Sequence, residues 1–474
     1  MEFERLSTLD AGFLEAEDSD RHASLAIGGV AVLEGPLPEM ESLLATIDER
    51  VRRVPRCKQV LHTHPWDLSA PQWVGDDAFD IRRHVRLTAV ASPGDDAALF
   101  RVVADLMERR LDRGRPLWEC WVVDGLEGGR WALVVKVHHS VADGIAASTM
   151  LAALCDGAGS EDGKSDEDGT TPEHQPGEHR LGLPSLNPLS WVTGAWNASI
   201  GTAQTALRLG AGAAEIAAGI VSPAPQTMTG PLTDLRHYSA ARVSLSDVKS
   251  ICHRFDVTVN DVALAAITDG FRKAMQRRGA TIRPTSLRTL VPVSVRRPDE
   301  LHLPDNRVSA MLPLLPVEVA DPLQRLHAVH SRLTRSKAGG QSQATDLAVT
   351  LSNRLPFALT AWTVRLLTRL PQRGVVTVAT NVPGPRREVS VLGRRVLSLL
   401  PIPPIAVHLR LGIAITSYAD ELTFGVISDY ESSVGADELA RGIEDGVDRL
   451  LTVTRACKKS RRLGNQSLLL LLVS

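Results

Sequence analysis

At 474 residues, 43% of them hydrophobic, the chain exceeds the size at which a single core usually stops growing, so two domains of roughly 200 residues are expected. Lys+Arg 53 against Asp+Glu 55 leaves a formal charge of -2, which gives no global electrostatic reason to bind nucleic acid. The five cysteines, Cys57, Cys120, Cys155, Cys252 and Cys457, form no C-x-x-C pair, so reduced thiols in a cytoplasmic protein are expected rather than a zinc site or a disulfide framework. The start, MEFERLSTLDAGFLEAEDSDRH, carries acidic residues where a signal peptide needs a basic segment and an apolar core. No window supplies the ~20 apolar residues of a spanning helix.

From Arg21 to about Val137 strand-like and helix-like pieces alternate. ASLAIGGVAVLEG predicts a strand, ESLLATIDERVRRV an amphipathic helix, and WECWVVDGL and RWALVVKV two further strands. After helix-like IAASTMLAALCD, the segment Asp156 to Arg180 has almost no apolar residue and is expected to be a mobile linker without core contacts. Trp191 to Ser222, rich in Ala and Gly with Arg208 and Glu215 as its charges, suits either buried connecting helices or a lipid-facing helix. A second α/β region follows from about Gly230, with helices at LSDVKSICHRF and NDVALAAITDGFRKAMQRRG and strands at SLRTLVPVSV, VVTVATNVPGP, LRLGIAITSYAD and ELTFGVISDY. The expected division is therefore an N-terminal lobe over 1–155, a connecting region over 156–229 and a C-terminal lobe over 230–474. At the end, RACKKSRRLGNQSLLLLLVS sets five basic residues, Arg455, Lys458, Lys459, Arg461 and Arg462, before an apolar run from Leu468 to Val473. That pattern fits either a solvated helix end or a weak peripheral membrane anchor.

The chemistry concentrates in VVKVHHSVADGIAA, where an apolar strand runs into His138 and His139. Successive side chains of a strand point to opposite faces, so one histidine should face the interior and the other an opening. A metal site using His139 and Asp143 lacks a third ligand at a recognisable spacing, so no metal is expected. Neutral imidazole can take a proton from an attacking hydroxyl, which makes one of the pair a candidate general base. Asp143 suits a loop-holding role, and Gly144 lets the backbone turn. No G-x-S-x-G elbow is present, and Ser140 lies too close in sequence to His139 to be aimed at it as a nucleophile.

HHSVADG fits H-H-x-x-x-D-G, the signature of acyl-CoA-dependent acyltransferases with a chloramphenicol acetyltransferase-like fold. Together with LSTLDAGFLEAED, PLW at Pro116 to Trp118, VTVNDVALA, SLRTLVPVSVR, DNRVS and TNVPGP, in that family's order, the chain resembles the bacterial wax ester synthase/diacylglycerol acyltransferases, mycobacterial triacylglycerol synthases in particular. The resemblance implies two α/β lobes with mixed sheets and the active site at their interface. It implies transfer from long-chain acyl-CoA, a co-substrate rather than a resident cofactor, to diacylglycerol or a long-chain alcohol at a membrane or lipid-inclusion surface. His139 would be the base and His138 would shape the loop. Asn260 would donate to the oxyanion, or serve as a helix N-cap. Pro116, Trp118, Asn381 and Pro383 either line the substrate channel or simply pack and turn. His22, His62, His64 and His84 are expected to be surface or satisfied structural residues. Two rivals remain: an acyltransferase of the same superfamily acting on another lipid or polyketide hydroxyl, and an inactive lipid-inclusion protein.

Overall fold

The computed structural model describes residues 6–63, 71–141, 154–156, 229–284, 287–294, 308–338, 374–406 and 408–472. Asp143, Gly144, His64, the Trp191 to Ser222 segment and nearly all of the expected linker lie outside them.

The N-terminal half contributes α1 (Thr8–Ser19), β1 (Ala26–Leu33), α2 (Met40–Val51), β2 (Gln59–His62), β3 (Gln72–Gly75), β4 (Val85–Ala89), α3 (Asp96–Glu108), β5 (Trp118–Asp124) and β6 (Trp131–His138). The C-terminal half contributes β7 (Arg236–Ser244), α4 (Leu245–Phe255), α5 (Val259–Arg277), β8 (Thr289–Ser294), β9 (Val308–Met311), α6 (Pro322–Ala338), β10 (Thr377–Val382), β11 (Ser390–Val391), β12 (Arg394–Ile402), β13 (Leu411–Tyr418), β14 (Glu421–Asp429) and α7 (Ala436–Leu472). Each strand and helix named from the sequence within the described residues appears near its expected place. The reason is local: β6 is buried at all eight positions, as a strand apolar at all but Lys136 and His138 should be inside a sheet.

Two six-stranded mixed sheets form, in the orders β11-β12-β1-β6-β5-β4 and β7-β14-β13-β10-β8-β9. Each has its own apolar core. The lobes are not contiguous in sequence. β12 pairs antiparallel with β1, from Gly28 opposite Ile402 to Leu33 opposite Val396, so residues 390–402, expected with the C-terminal lobe, complete the N-terminal sheet. Asp156 also departs from expectation. Instead of opening a free linker, its carboxylate pairs with Arg50 of α2 at 2.5 Å and accepts the Leu392 and Gly393 N–H groups in the β11–β12 turn at 2.9 and 2.7 Å. These bonds outweigh the cost of burial and hold its carboxyl at about 2, well below the usual range.

The sheets meet where β14 crosses β12. Tyr238 donates to the Pro401 carbonyl at 2.9 Å, and a Cβ on Gly425 would come within 1.7 Å of that same oxygen, so only glycine permits this approach. Beside it, Arg242 of β7 pairs with Asp96 of α3 at 2.6 Å. Arg236 closes the seam: its guanidinium holds buried Asp429 at 3.1 Å and reaches the His22 carbonyl, while its N–H donates to Glu108 of α3. His22 in turn meets Asp234 at 2.6 Å, a partner that lies far away in sequence.

Candidate active site

Lysine in a buried strand needs acceptors. Lys136 on β6 finds them in the Leu106 carbonyl at 2.7 Å and the Arg109 carbonyl, which ends α3. Burial lowers its pKa to about 8. Arg110 does the same for α1, donating to the carbonyls of Glu17, Asp20 and Ala23. At its other end α1 is capped by Ser7, whose hydroxyl accepts the Asp10 N–H at 3.1 Å. A short helix is thereby fixed against the C-terminal end of β6, where the paired histidines stand.

The strand separates the two side chains as alternation requires. His138 is 1% exposed, whereas His139 is partly exposed. Backbone bonds hold both: His138 N–H donates to the Leu117 carbonyl at 3.0 Å and His139 N–H to the Leu25 carbonyl at 2.9 Å. The His138 Nδ1 accepts the Ser140 N–H at 3.1 Å, with the Ser140 hydroxyl at 2.7 Å. An accepting Nδ1 leaves the ring proton on Nε2. That atom faces Glu17 Oε2 at 3.5 Å, an electrostatic contact longer than an ordinary hydrogen bond. Ser140 is buried and engages His138, which turns it away from the role of nucleophile.

Glu17 was not singled out by sequence. It is 2% exposed, accepts the Leu25 N–H at 3.0 Å, and meets Arg113 at 3.0 Å. Burial alone would raise its pKa, but the contact with the His138 ring edge, the Leu25 N–H and Arg113 prevail and hold it at about 2. Phe13, also on α1, sets its ring 4.2 Å from that of His139, tilted by 36°. Burial lowers the His139 pKa to about 4, with the neighbouring His138 adding to the effect, so the imidazole is neutral near pH 7.

Both shifts make acidification destabilising. Unfolded His139 takes a proton near pH 6.5 and folded His139 only near 4; unfolded Glu17 does so near 4.5 and folded Glu17 near 2. In each interval the unfolded chain binds more protons, so stability falls as pH drops from about 6.5 toward 2. Urea midpoints measured from pH 7 to 3 should decrease for the parent, and below about pH 4.5 should decrease less for Glu17→Gln.

The remaining predicted residues are spread over other elements. Asn260 is not the N-cap of α5: Thr258 is, its hydroxyl accepting the Asp261 N–H at 3.2 Å while Asp261 accepts the Thr258 N–H at 2.8 Å. Asn260 sits two positions past that cap, half-buried, on the second lobe. Asp261 is further tied to His330 of α6 at 2.9 Å. Pro116 and Trp118 are buried and pack: the Trp118 indole donates to the Cys57 carbonyl at 2.8 Å, and His84 stacks on its ring at 4.6 Å. Asn381 and Pro383 are exposed at the end of β10.

The profile of the wax ester synthase/diacylglycerol acyltransferase catalytic domain matches residues 6–263, and that of the family's C-terminal domain matches residues 305–451. The chain belongs to this family. A probable diacylglycerol O-acyltransferase of Mycobacterium tuberculosis is 53% identical over 463 residues, covering 98% of this chain and 99% of the relative. The wax ester synthase/diacylglycerol acyltransferase from Marinobacter aquaeolei superposes with a TM-score of 0.65 at 23% identity, covering 95% of this chain and 100% of that one. Trichothecene 15-O-acetyltransferase from Fusarium sporotrichioides gives 0.61 at 12% identity, covering 95% of each. The chloramphenicol acetyltransferase-like fold implied by the family resemblance is thus borne out as two mixed α/β lobes.

Proposed function

We propose that the protein transfers the acyl group of a long-chain acyl-CoA to the free hydroxyl of a diacylglycerol, with His139 as the general base. The observation that carries this reading is the placement of His139, a half-buried residue just past the end of β6, with the buried His138 and Glu17 behind it. The acceptor oxygen attacks the thioester carbonyl as its proton passes to His139. The tetrahedral intermediate then collapses, the C–S bond breaks, and the proton returns from the imidazolium to the departing coenzyme A thiolate. Asn260, at the start of α5 on the opposing lobe, is the proposed oxyanion donor, a contribution commonly worth ~3 kcal/mol. Asp143 and Gly144 are assigned to holding and turning the loop after His139, and Asn381 and Pro383 to the channel rim. The site lies between the lobes, where an apolar tunnel can take acyl chains and a polar mouth coenzyme A. Acyl-CoA is consumed as a substrate, and the chemistry asks for no resident cofactor or metal.

Acceptor choice is tested by supplying labelled oleoyl-CoA with diolein, hexadecanol or both. Faster formation of triolein supports the diacylglycerol reading; exclusive formation of the wax ester replaces it with the alcohol reading.

None of the described helices is long and apolar enough to cross a membrane. Diacylglycerol is nevertheless held in lipid, so we assign the enzyme a cytoplasmic, peripheral position on membranes or lipid inclusions. α7 extends to Leu472 through the basic cluster and the leucine run, and each basic residue near an anionic surface contributes ~1 kcal/mol. Removing residues 455–474 should weaken co-sedimentation with anionic liposomes and spare activity on detergent-dispersed diolein. Unchanged sedimentation would move the anchor elsewhere in the chain.

A further inference from the structure

Phe13 and Glu17 stand four residues apart on α1, the spacing that places two side chains on one helical face. That face meets both histidines: the Glu17 carboxylate is 3.5 Å from His138 Nε2, and the Phe13 ring lies 4.2 Å from the His139 ring. We propose that α1 is a positioning element of the active site, with Glu17 setting the tautomer and orientation of His138 and Phe13 roofing the reactive imidazole of His139. This rests on His139 being the base.

The arrangement exceeds what burying a carboxylate requires. Glu17 Oε1 is satisfied by the Leu25 N–H at 3.0 Å and Oε2 by Arg113 at 3.0 Å, yet the same Oε2 also confronts the histidine edge. With Nδ1 occupied by the Ser140 N–H, the ring proton is left on Nε2, facing the Glu17 carboxylate. The His138 backbone carbonyl accepts the Val141 N–H at 2.9 Å, so the residue that carries this ring also anchors the turn that holds His139. Phe13 presents an apolar surface to the His139 ring, which favours the neutral imidazole over the cation. Charged groups around this pair are Glu17 and Asp18 on α1, Arg113 in the segment after α3, and His138 and Lys136 on β6.

The test uses the full-length enzyme with selectively labelled histidine. The His139 imidazole is titrated by NMR and, in parallel, the pH dependence of kcat/KM is measured for the parent, Phe13→Ala, Phe13→Leu and Glu17→Gln. Phe13→Ala should move the titration midpoint and the acid limb of kcat/KM upward together, toward the ordinary histidine range. Phe13→Leu, which keeps an apolar cover, should move both less and serves if the alanine variant does not fold. Glu17→Gln should lower kcat on the order of 10-fold or more, with the KM for acyl-CoA little changed. Unchanged titration in the Phe13 variants, or a Glu17→Gln enzyme that loses thermal stability while keeping parental kcat, overturns the proposal. If His139→Ala proves active the base assignment falls by itself, and the NMR titration still decides whether α1 governs the imidazole.

Discussion

His139→Ala should lower acyl transfer on the order of 100-fold or more and leave the fold intact. The residue is half-buried just past the end of the strand, and its backbone N–H bond to the Leu25 carbonyl survives the substitution, so β6 keeps its place between β1 and β5. Kinetics with oleoyl-CoA and diolein, alongside a thermal melt, separate the two effects. A folded variant that retains parental activity would remove the base from the mechanism. His138→Ala is a different experiment, because it deletes a buried ring bound to Ser140 and facing Glu17. Its loss of activity would come mixed with loss of structure.

The second large effect is expected at the lobe seam. Arg236 and Asp429 are 1% and 0% exposed, and removing one member of such a pair leaves an uncompensated buried charge, which costs about 3–5 kcal/mol. Arg236→Ala also abandons the His22 carbonyl across the seam. Urea unfolding should show that loss, and a double variant, Arg236→Met with Asp429→Leu, should recover much of it. A loss below about 1 kcal/mol for the single change would mean that the pair contributes little net stability.

What the sequence disclosed and what it withheld follow from how far apart the interacting residues lie. The RWALVVKV run and the NDVALAAITDG helix are local patterns, and their elements formed where periodicity placed them. The crossing of β12 into the first sheet depends on pairing between β1 and a strand hundreds of residues later, which no local pattern encodes. Asp156 looked like linker by its polar neighbours, yet its carboxylate caps a distant turn. Thr258 won the cap over Asn260 because the Thr-x-x-Asp spacing lets both side chains satisfy each other's N–H groups. Glu17 lies inside LSTLDAGFLEAED among other acidic residues. A signal existed, since it falls on the same helical face as Ala11 and Leu14, both buried, and an acid on an apolar face needs a partner. Which partner it takes, only the fold of the chain reveals.

Central to this account is direct transfer from a thioester to a hydroxyl without an acyl-enzyme. It is tested by mixing stoichiometric enzyme with labelled oleoyl-CoA, first alone and then with diolein, while following free coenzyme A, labelled lipid and the intact mass of the protein. The account predicts no burst of coenzyme A and no acyl adduct before the acceptor is added, then coenzyme A and triolein in equal amounts. A burst accompanied by an oleoyl adduct on the protein, or coenzyme A release that yields only free oleate, would contradict it.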